Sequence, residues 1–502
     1  MAAQLQSISI DAPAFFGLNT QDSPTSLSPQ FALVANNCVI DQSGRIAARK
    51  GYEYLSQDDI GEVMSLGEFI NPNGPNEIIS VSSSGIYTGT QNLTNKTPVG
   101  YNIGIGDFQQ ASLQQYHFLF QEGFEPLYYD GSIVDEVNNS PHANGIAPKA
   151  GIVLSAYGRL FAARTDTEKV TLYWTDTLLG KHWNGGTSGT LDVSAIWAGG
   201  ADEITGLAAH NNFLIVFGST QALVFEGANG DPNNDLRLVD TIVGVGCVNK
   251  DSIQKIGSDL LFLSDTGVRS LNRTIQEKSM PMRDVSKNVR TDLINTFMLN
   301  STSLVRSGYN PLDAFYSLSF VGSNEVYIFD TRQPLEDGSF RATKWLDVPT
   351  AYLTTQQDKR FLIGKPRGTA EYKGFLDDGV PYQISYFSNY NDFGSPNNIK
   401  FLKTLLGTFV SAANSQLTFS YDYDYKGSYS KRLANLTDQT IAEYGVSEFG
   451  ESTFSQGVAV SRPSVKTSSS GTVIQFGIDA TINGAAFSIQ RLTAQATLGR
   501  SV

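Results

Sequence analysis

The chain has 502 residues, of which 40% are hydrophobic and 17% are charged, and its formal net charge is −13. Low charge combined with ordinary hydrophobicity excludes a disordered chain, and the acidic balance disfavours a protein that grips nucleic acid or an anionic membrane. The 47 glycines favour strands and turns over helices. We therefore expect an all-β protein with more than one domain.

The cysteine count and the N-terminus indicate the compartment. Cys38 and Cys247 are too few and too far apart for a disulfide framework or a zinc site, so we expect two buried free thiols. The first residues, MAAQLQSISI, lack a secretion signal, and the chain contains no uninterrupted apolar run of about 18 residues. These features predict a protein that folds in a cytoplasm and has no membrane anchor.

A hairpin pattern recurs seven times between roughly residues 60 and 380. In each copy an apolar run meets a Gly, Ser, Asn or Asp turn and then a second run rich in aromatic residues or Leu. The copies begin at Glu77, Tyr116, Tyr157, Asn211, Ser258, Asp313 and Asp358. Their spacing of roughly 40 to 55 residues suits one four-stranded propeller blade, so the pattern predicts a β-propeller of about seven blades that need not be regular. Two stacked β-sandwiches are the alternative.

One segment inside this region has helical spacing. In the segment 284–302 five apolar residues lie close to one helical face: Val285, Val289, Leu293, Phe297 and Met298. The first residue of the segment, Asp284, suits an N-cap. The pattern predicts a single amphipathic helix between two blades. It either covers a sheet edge or the flank of the propeller, or it contacts a neighbouring subunit.

After about residue 380 the strands lengthen and alternate with period two, as in QLTFSYDYDYKG, GVAVSRPSVKT, GTVIQFGIDATI and AAFSIQRLTAQATL. This pattern predicts a second β-domain. We assign residues 1–60 to an N-terminal docking and platform segment, 61–380 to the propeller, and 381–502 to a C-terminal β-domain. The two terminal segments are expected to pack together as a β-sandwich-like platform.

The usual catalytic and cofactor motifs are missing from the sequence. It contains no nucleophile elbow, phosphate-binding loop or dinucleotide fingerprint. The four histidines form no metal-binding pair and are interpreted as loop or core residues: His117, His142, His182 and His210. We therefore predict a protein that is not an enzyme and has no catalytic residue, cofactor or metal.

Four weaker patterns have both a structural and a functional interpretation. The turn at residues 264–267 resembles the Asp-rich turn of sialidase blades but occurs once, so we interpret it as a polar hairpin turn. In YDYDYK the alternation puts Tyr421, Tyr423 and Tyr425 on the inner face and Asp422, Asp424 and Lys426 on a solvated outer face, with a carboxylate cluster for a cation or a partner as the alternative. Residues 231–235 lack calcium-loop spacing, and the four tryptophans are interpreted as core residues rather than a sugar platform.

The strongest local motif lies near the N-terminus, from Phe15 to Leu55. It combines a Gly-Leu-Asn start, an Asp/Pro/Leu stretch, an Asn pair, a Gly turn and an Arg-x-Gly-Tyr end. The matching positions are Gly17, Leu18, Asn19, Asp22, Pro24, Leu27, Asn36, Asn37, Gly44, Arg45, Arg49, Gly51 and Tyr52. This opening resembles that of the tail nozzle, or tail tubular protein B, family of short-tailed bacteriophages (podoviruses).

The resemblance implies a structural virion protein of the phage tail that is assembled in the host cytoplasm. Family members form a hexameric ring below the tail adaptor, retain the packaged genome and conduct double-stranded DNA during ejection. It leaves open whether tail fibres attach to this chain. A propeller glycoside hydrolase or lyase, or a monomeric glycan-binding propeller, is the alternative function.

The residues of the opening also suggest how it works. Pro24 and Pro29 fix extended backbone and remove two donors, which suits a segment laid against another protein. Arg45, Arg49 and Lys50 could donate charge-assisted hydrogen bonds to a neighbour. We predict an adaptor or subunit interface that consists of Gly17, Asp22, Pro24, Leu27, Pro29, Arg45, Arg49 and Lys50. The alternative is a strand pair that closes the chain's own platform.

Overall fold

A computed structural model describes residues 5–501, apart from residues 25, 73, 105, 273–283, 300–304, 412–415 and 437–458. The described part is mostly β-strand, which confirms the all-β prediction. The opening of the chain forms six strands: β1 (Leu5–Asp11), β2 (Gly17–Leu18), β3 (Phe31–Asn36), β4 (Cys38–Ile40), β5 (Ile46–Ala48) and β6 (Tyr52–Tyr54).

Four antiparallel four-stranded blades follow in chain order. Blade 1 contains β7 (Val63–Phe69), β8 (Glu77–Ser82), β9 (Gly85–Thr88) and β10 (Thr94–Asn95), and blade 2 contains β11 (Phe108–Leu113), β12 (Tyr116–Gln121), β13 (Leu127–Tyr129) and β14 (Val134–Glu136). Blade 3 contains β15 (Ile152–Ala156), β16 (Arg159–Ala163), β17 (Thr171–Trp174) and β18 (Gly189–Asp192), and blade 4 contains β19 (Gly206–His210), β20 (Phe213–Phe217), β21 (Gln221–Glu226) and β22 (Arg237–Val243). A short helix, α1 (Pro232–Asp235), precedes β22.

A three-stranded sheet and two further blades complete the ring. The sheet contains β23 (Gln254–Ile256), β24 (Asp259–Ser264) and β25 (Gly267–Ser270), and it is followed by helix α2 (Arg290–Leu299). Blade 5 contains β26 (Val305–Asn310), β27 (Phe315–Phe320), β28 (Glu325–Asp330) and β29 (Arg341–Leu346), and blade 6 contains β30 (Tyr352–Thr355), β31 (Phe361–Gly364) and β32 (Thr369–Tyr372) together with β6.

The chain is therefore a β-propeller. All seven predicted hairpins exist, and each forms two neighbouring strands of one ring sheet. Six of them belong to four-stranded blades. The one predicted from Ser258 belongs to the three-stranded sheet, so the prediction of about seven blades becomes six blades and one smaller sheet.

The opening segment closes the propeller. Strand β6 pairs antiparallel with β32, with Tyr52 opposite Tyr372 and Tyr54 opposite Ala370, and so supplies the fourth strand of blade 6. This strand lies inside the range 1–60 that we assigned to the platform. Strand pairing between distant parts of the sequence removes an open sheet edge from the ring.

Each blade packs on its neighbours through a hydrophobic cluster of its own. Six such clusters join blades 1–2, 2–3, 3–4, blade 4 with the three-stranded sheet, blades 5–6 and blades 6–1. The remaining contact, between the three-stranded sheet and blade 5, belongs to a much larger cluster that continues outside the propeller. These contacts follow the ring in order and close it.

The rest of the chain forms longer strands beside the ring. They are β33 (Tyr382–Ser388), β34 (Asn398–Ser411), β35 (Gln416–Tyr423), β36 (Ser430–Asn435), β37 (Ala459–Ser461), β38 (Ser464–Lys466), β39 (Ser470–Gly471), β40 (Ile474–Ile482) and β41 (Phe487–Ser501). N- and C-terminal strands share sheets, since β1 and β5 both pair with β41 and β3 pairs with β33. We call these two sheets the platform. Its organisation as a separate sandwich domain, and the boundaries at residues 60 and 380, stay predictions.

The platform is continuous with blade 5. Strand β2 pairs in parallel with both β29 and β3, so one ten-stranded sheet runs from β26 through β29, β2, β3, β33, β40 and β35 to β36. Backbone hydrogen bonds across this junction fix the platform to the propeller more firmly than a flexible linker could.

The predicted helix is shorter than expected. A 3-10 turn at Lys287–Val289 leads into α2, and residues 300–302 lie outside the described residues. Val289 and Leu293 are buried as predicted, but Met298 is 65% exposed. Asp284 accepts hydrogen bonds from the backbone nitrogen and hydroxyl of Ser286, so it stabilises the turn before the helix rather than capping the helix itself.

Candidate functional site

Four of the eight predicted interface residues lie on one surface connection, between β2 and β3. Asp22 is exposed, and Pro24, Leu27 and Pro29 are partly exposed. We call residues 19–30, of which Thr25 is not described, the opening loop. The loop joins two parallel strands, so it must cross from one end of the sheet to the other over the surface.

Side chains of the same chain hold both ends of the opening loop. Asn19 is fully buried, and its carboxamide oxygen accepts hydrogen bonds from the backbone nitrogens of Gln21 and Asp22, both at 3.0 Å. At the other end, the Asn389 side chain donates to the carbonyl oxygen of Leu27 at 2.6 Å. Asx turns of this kind fix local backbone without a regular element. Hydrogen bonds within the chain thus hold both ends of the loop.

Gly17 lies in the interior, where β2 approaches β29. Its φ is +79°, and a Cβ atom at this position would lie 2.5 Å from the carbonyl oxygen of Ala342. Only glycine combines this backbone conformation with so close a contact. Gly17 therefore joins the platform to blade 5 and is not itself a surface residue.

Arg49 is also buried and bonds within its own chain. Its guanidinium forms two hydrogen bonds with Asp377, at 2.7 and 2.6 Å, and lies 4.0 Å from the ring centroid of Tyr382. Burial alone would lower the pKa of Arg49, but the hydrogen bonds and charge of Asp377 outweigh burial and raise it. Its charge is balanced inside the chain.

The other two predicted basic donors have similar roles. Arg45 is buried and lies 3.4 Å from the Asp41 carboxylate, across the turn that contains Gly44. The Lys50 amine lies 3.9 Å from the Asp313 carboxylate of blade 5. For these residues the structure matches the alternative interpretation, in which the segment closes the chain's own platform. Of the predicted interface, only the four residues on the opening loop remain candidates for contact with another protein.

The end of the opening segment covers a buried amine that sequence reasoning missed. Lys365 is fully buried in blade 6, and its Nζ lies 3.7 Å from the ring centroid of Tyr52 on β6. Within the described residues this amine has no hydrogen-bond partner. Burial lowers the pKa of Lys365 to about 7, although the charge of Asp377 raises it in part.

A polar cluster lies at the propeller axis, where the innermost strands converge. Arg306 on β26 is 1% exposed, and its guanidinium bonds to Asp107 and, at 2.7 Å, to Asp251. Gln109 on β11 donates to Asp251 at 3.2 Å and accepts from the backbone nitrogen of Val153 at 2.9 Å. We call Arg306, Asp107, Asp251 and Gln109 the axial cluster. It connects strands from blades 2, 3 and 5.

The two axial carboxylates have opposite pKa shifts. Burial opposes ionisation of Asp107, but the charges of Arg306 and Lys250 outweigh burial and lower the pKa of Asp107. Asp251 is more deeply buried, and burial raises the pKa of Asp251 despite the same two cations. Carboxylates with divergent pKa values are typical of acid–base pairs as well as of structural ion clusters.

Arg306 cross-links the two carboxylates of the axial cluster. Three members of the cluster, Gln109, Asp251 and Arg306, line a cavity of about 350 Å³. A glycosidase needs two carboxyl groups on either side of an open gap. Here the guanidinium of Arg306 bonds to both carboxylates, so each is already satisfied by a buried cation.

The other predicted sites behave mostly as structural residues. Both cysteines are buried and free, as predicted, and burial raises the pKa of Cys247 to about 12. The prediction that Asp422 is solvated is wrong, because it is 2% exposed and accepts a hydrogen bond from the Tyr390 hydroxyl at 2.9 Å. The prediction that Tyr425 faces inward is also wrong, because the strand ends at Tyr423 and Tyr425 is exposed. Asp231 caps the short helix α1.

The described part of the chain has neither a membrane-spanning helix nor a cluster of metal-binding side chains. None of its helices is long and apolar enough to cross a membrane. The same residues contain no group of three or more His, Cys, Asp or Glu side chains that could hold a metal ion.

Comparison with known proteins assigns no family to the chain. No family model matches the chain, and no curated protein matches it. Among solved structures it is similar to PorZ of Porphyromonas gingivalis, with 12% identity and a TM-score of 0.36 over 67% of this chain. The match spans only 42% of PorZ.

Two smaller propellers are matched over nearly their whole length. The WD40 domain of Sif2 has 9% identity and a TM-score of 0.38, over 64% of this chain and 98% of Sif2. YCF48 from Cyanidioschyzon merolae has 10% identity and a TM-score of 0.39, over 64% and 98% of the two chains.

Proposed function

We propose that the chain is a structural subunit of the tail nozzle of a short-tailed bacteriophage. In this proposal several copies, six by the family resemblance, form a ring below the tail adaptor in the virion, after assembly in the host cytoplasm. The observation that carries the proposal is the opening loop. The residues that resemble the nozzle family lie partly on this loop, which the buried Asn19 and Asn389 hold in place.

The charge of the chain supports a conduit rather than a DNA reader. A net charge of −13 per copy repels phosphates, so a ring of such chains would let double-stranded DNA slide with few adhesive contacts. The ring would retain the packaged genome until infection and then let it pass. Screening over about 8 Å at physiological salt means that only the residues lining the bore affect the DNA.

The axial cluster supports a non-enzymatic role. Because Arg306 bonds to both Asp107 and Asp251, neither carboxylate is available as a general acid without breaking a buried ion pair. A hydrolase or lyase, the alternative function, would need an accessible pair.

Binding to an isolated adaptor ring tests the proposal. We expect wild-type protein to bind the adaptor, and Leu27→Asp on the opening loop to weaken binding without changing the unfolding temperature. Leu312→Asp is the matched control, because Leu312 is an exposed leucine on a turn of blade 5. Equal binding by wild type and both variants would contradict the role of the loop, and absence of binding by wild type would contradict the proposed function.

A further inference from the structure

The cavity of about 350 Å³ at the propeller axis lies where the first strands of several ring sheets meet. We call it the axial cavity. Its lining includes residues of β11, β15, β23, β26 and β30, which belong to blades 2, 3, 5 and 6 and to the three-stranded sheet. Small-molecule sites in proteins usually have volumes of about 300 to 1,000 Å³. The axial cavity is therefore large enough for one small molecule that contacts several sheets at once.

The charged side chains that line the axial cavity are mostly basic. They are Lys250, Lys255 and Arg306, together with the single carboxylate of Asp251. The whole chain has a formal net charge of −13, so the sign of the charge in this cavity is opposite to that of the molecule. A partly enclosed cleft lined by one sign of charge raises the local concentration of small ions of the opposite sign.

Lys255 is the cation of this lining that the chain does not balance. Arg306 bonds to Asp107 and Asp251, and the charge of Lys250 acts on the same two carboxylates. These two cations and two anions balance each other. Lys255 is exposed on β23 and has no carboxylate partner among the residues that the structure describes. The lining of the cavity therefore has one positive charge in excess.

Neutral hydrogen-bond donors lie beside the cations. The side chains of Gln109, Tyr309 and Thr354 also line the axial cavity, and all three are partly exposed. Gln109 uses one of its two amide hydrogens for Asp251, so the second can reach a ligand. Ammonium, amide and hydroxyl groups all donate hydrogen bonds to oxyanions, and such charge-assisted bonds are the strong ones.

We propose that the axial cavity binds a small molecule through a phosphate or carboxylate group. The ammonium of Lys255 balances the charge of this group, and the hydroxyls of Tyr309 and Thr354 donate hydrogen bonds to its oxygen atoms. A neutral sugar fits less well, because it leaves the ammonium of Lys255 without a counter-charge. The site does not depend on the proposed ring of copies, since residues of a single chain line it.

Isothermal titration calorimetry of the full chain with inorganic phosphate and with succinate tests the site. We expect wild type to bind at least one of these anions at one site per chain, and the anion that binds identifies the group. Lys255→Gln should weaken this binding about tenfold, because a charge-assisted hydrogen bond is lost. Lys431→Gln is the matched control, since it removes an exposed lysine from β36 of the platform, and it should bind like wild type.

Thermal unfolding supplies an independent readout. A ligand that binds only the folded chain raises the unfolding temperature as its concentration increases. We expect the anion to raise the unfolding temperature of wild type and Lys431→Gln more than that of Lys255→Gln. The general stabilising effect of phosphate on folded proteins acts on all three chains equally, so the difference between them reports the site.

Three results would overturn the inference. Wild type could bind neither anion, or Lys255→Gln could bind as tightly as wild type, which would place the anion elsewhere on the chain. Binding of glucose instead of both anions, with no effect of Lys255→Gln, would assign the cavity to a neutral ligand. None of these results bears on the proposed tail ring, which binding to the adaptor tests separately.

Discussion

The propeller and the platform use β-strands in two different ways. Propeller strands have two to seven residues, and each blade packs on its neighbours through a small separate cluster. Platform strands reach 14 residues in β34 and 15 in β41, and both platform sheets share one large cluster. The stability of the ring is therefore a sum of local contacts, as in repeat proteins, whereas the platform is one cooperative unit.

The two regions are joined by a shared hydrophobic cluster and by strand pairing. The parallel pairing of β29, β2 and β3 and the closing strand β6 carry the connection. The following predictions test where stability is concentrated in this arrangement.

The largest loss of stability is expected from a substitution at the propeller axis. Arg306→Met removes the guanidinium that bonds to the buried carboxylates of Asp107 and Asp251 and leaves only the charge of Lys250 near them, so we expect a loss of about 3 to 5 kcal/mol in the free energy of unfolding measured with urea. In wild type the lowered pKa of Asp107 stabilises the fold at neutral pH, and this contribution disappears as pH falls through that pKa. The difference in the free energy of unfolding between wild type and Arg306→Met should therefore become smaller at acidic pH.

The control for this prediction is Arg360→Met. Arg360 pairs with Asp358 on an exposed turn of blade 6, where an ion pair contributes about 1 kcal/mol or less. Equal losses for the two variants would mean that the axial cluster does not hold the inner strands together.

A smaller loss is expected at the junction with the platform. Gly17→Val places a side chain against the backbone of Ala342, and valine is strained at the positive φ of this position. We therefore expect the free energy of unfolding to fall by about 3 kcal/mol. Gly379→Val is the matched control, because its φ is +82° but no atom lies within 4 Å of the added Cβ. The free energy of unfolding of this control should fall by only about 1 to 2 kcal/mol, because backbone strain alone acts there. A loss no larger for Gly17→Val than for the control would show that this junction can relax.

The smallest change in stability is an increase, and we expect it from a substitution of Lys365 beside the closing strand β6. The pKa of Lys365 is lowered, so between about pH 7 and its ordinary pKa of 10.5 the unfolded chain binds a proton that the folded chain does not, and wild-type stability rises with pH. Lys365→Met should be more stable than wild type by about 2 kcal/mol at pH 6, with the difference vanishing near pH 10. Thermal unfolding across this range measures it.

Lys373→Met is the control for the closing strand. Lys373 is partly exposed and pairs with Glu53 of β6, so its loss should change stability by less than about 1 kcal/mol and with little pH dependence. A pH-independent difference between Lys365→Met and wild type would contradict a neutral, buried amine.

The hairpins were predictable because their information is local. Each combines a turn sequence with flanking apolar runs, and all seven lie where the sequence places them. The longest platform strands were harder. Strand β34 was missed because NIKFLKTLLGTFVS does not alternate strictly, and its register with β41 shifts at three points.

The side-chain roles depended on partners that are distant in the sequence. Arg49 looked like a surface donor, but its partner Asp377 lies 328 residues away and draws it inside. Asp422 looked solvated because a strand alternates, yet Tyr390 and the backbone of Gly427 bury and bond it. The axial cluster joins residues from three separate segments, and no spacing in the sequence indicates it.

The central claim is that copies of this chain form a ring on a tail adaptor. Electron microscopy of the purified chain mixed with isolated adaptor rings tests it most directly. We expect a ring of propellers around a central bore, attached below the adaptor through the platform side. Unchanged adaptor rings beside single 54.5 kDa chains would contradict the claim.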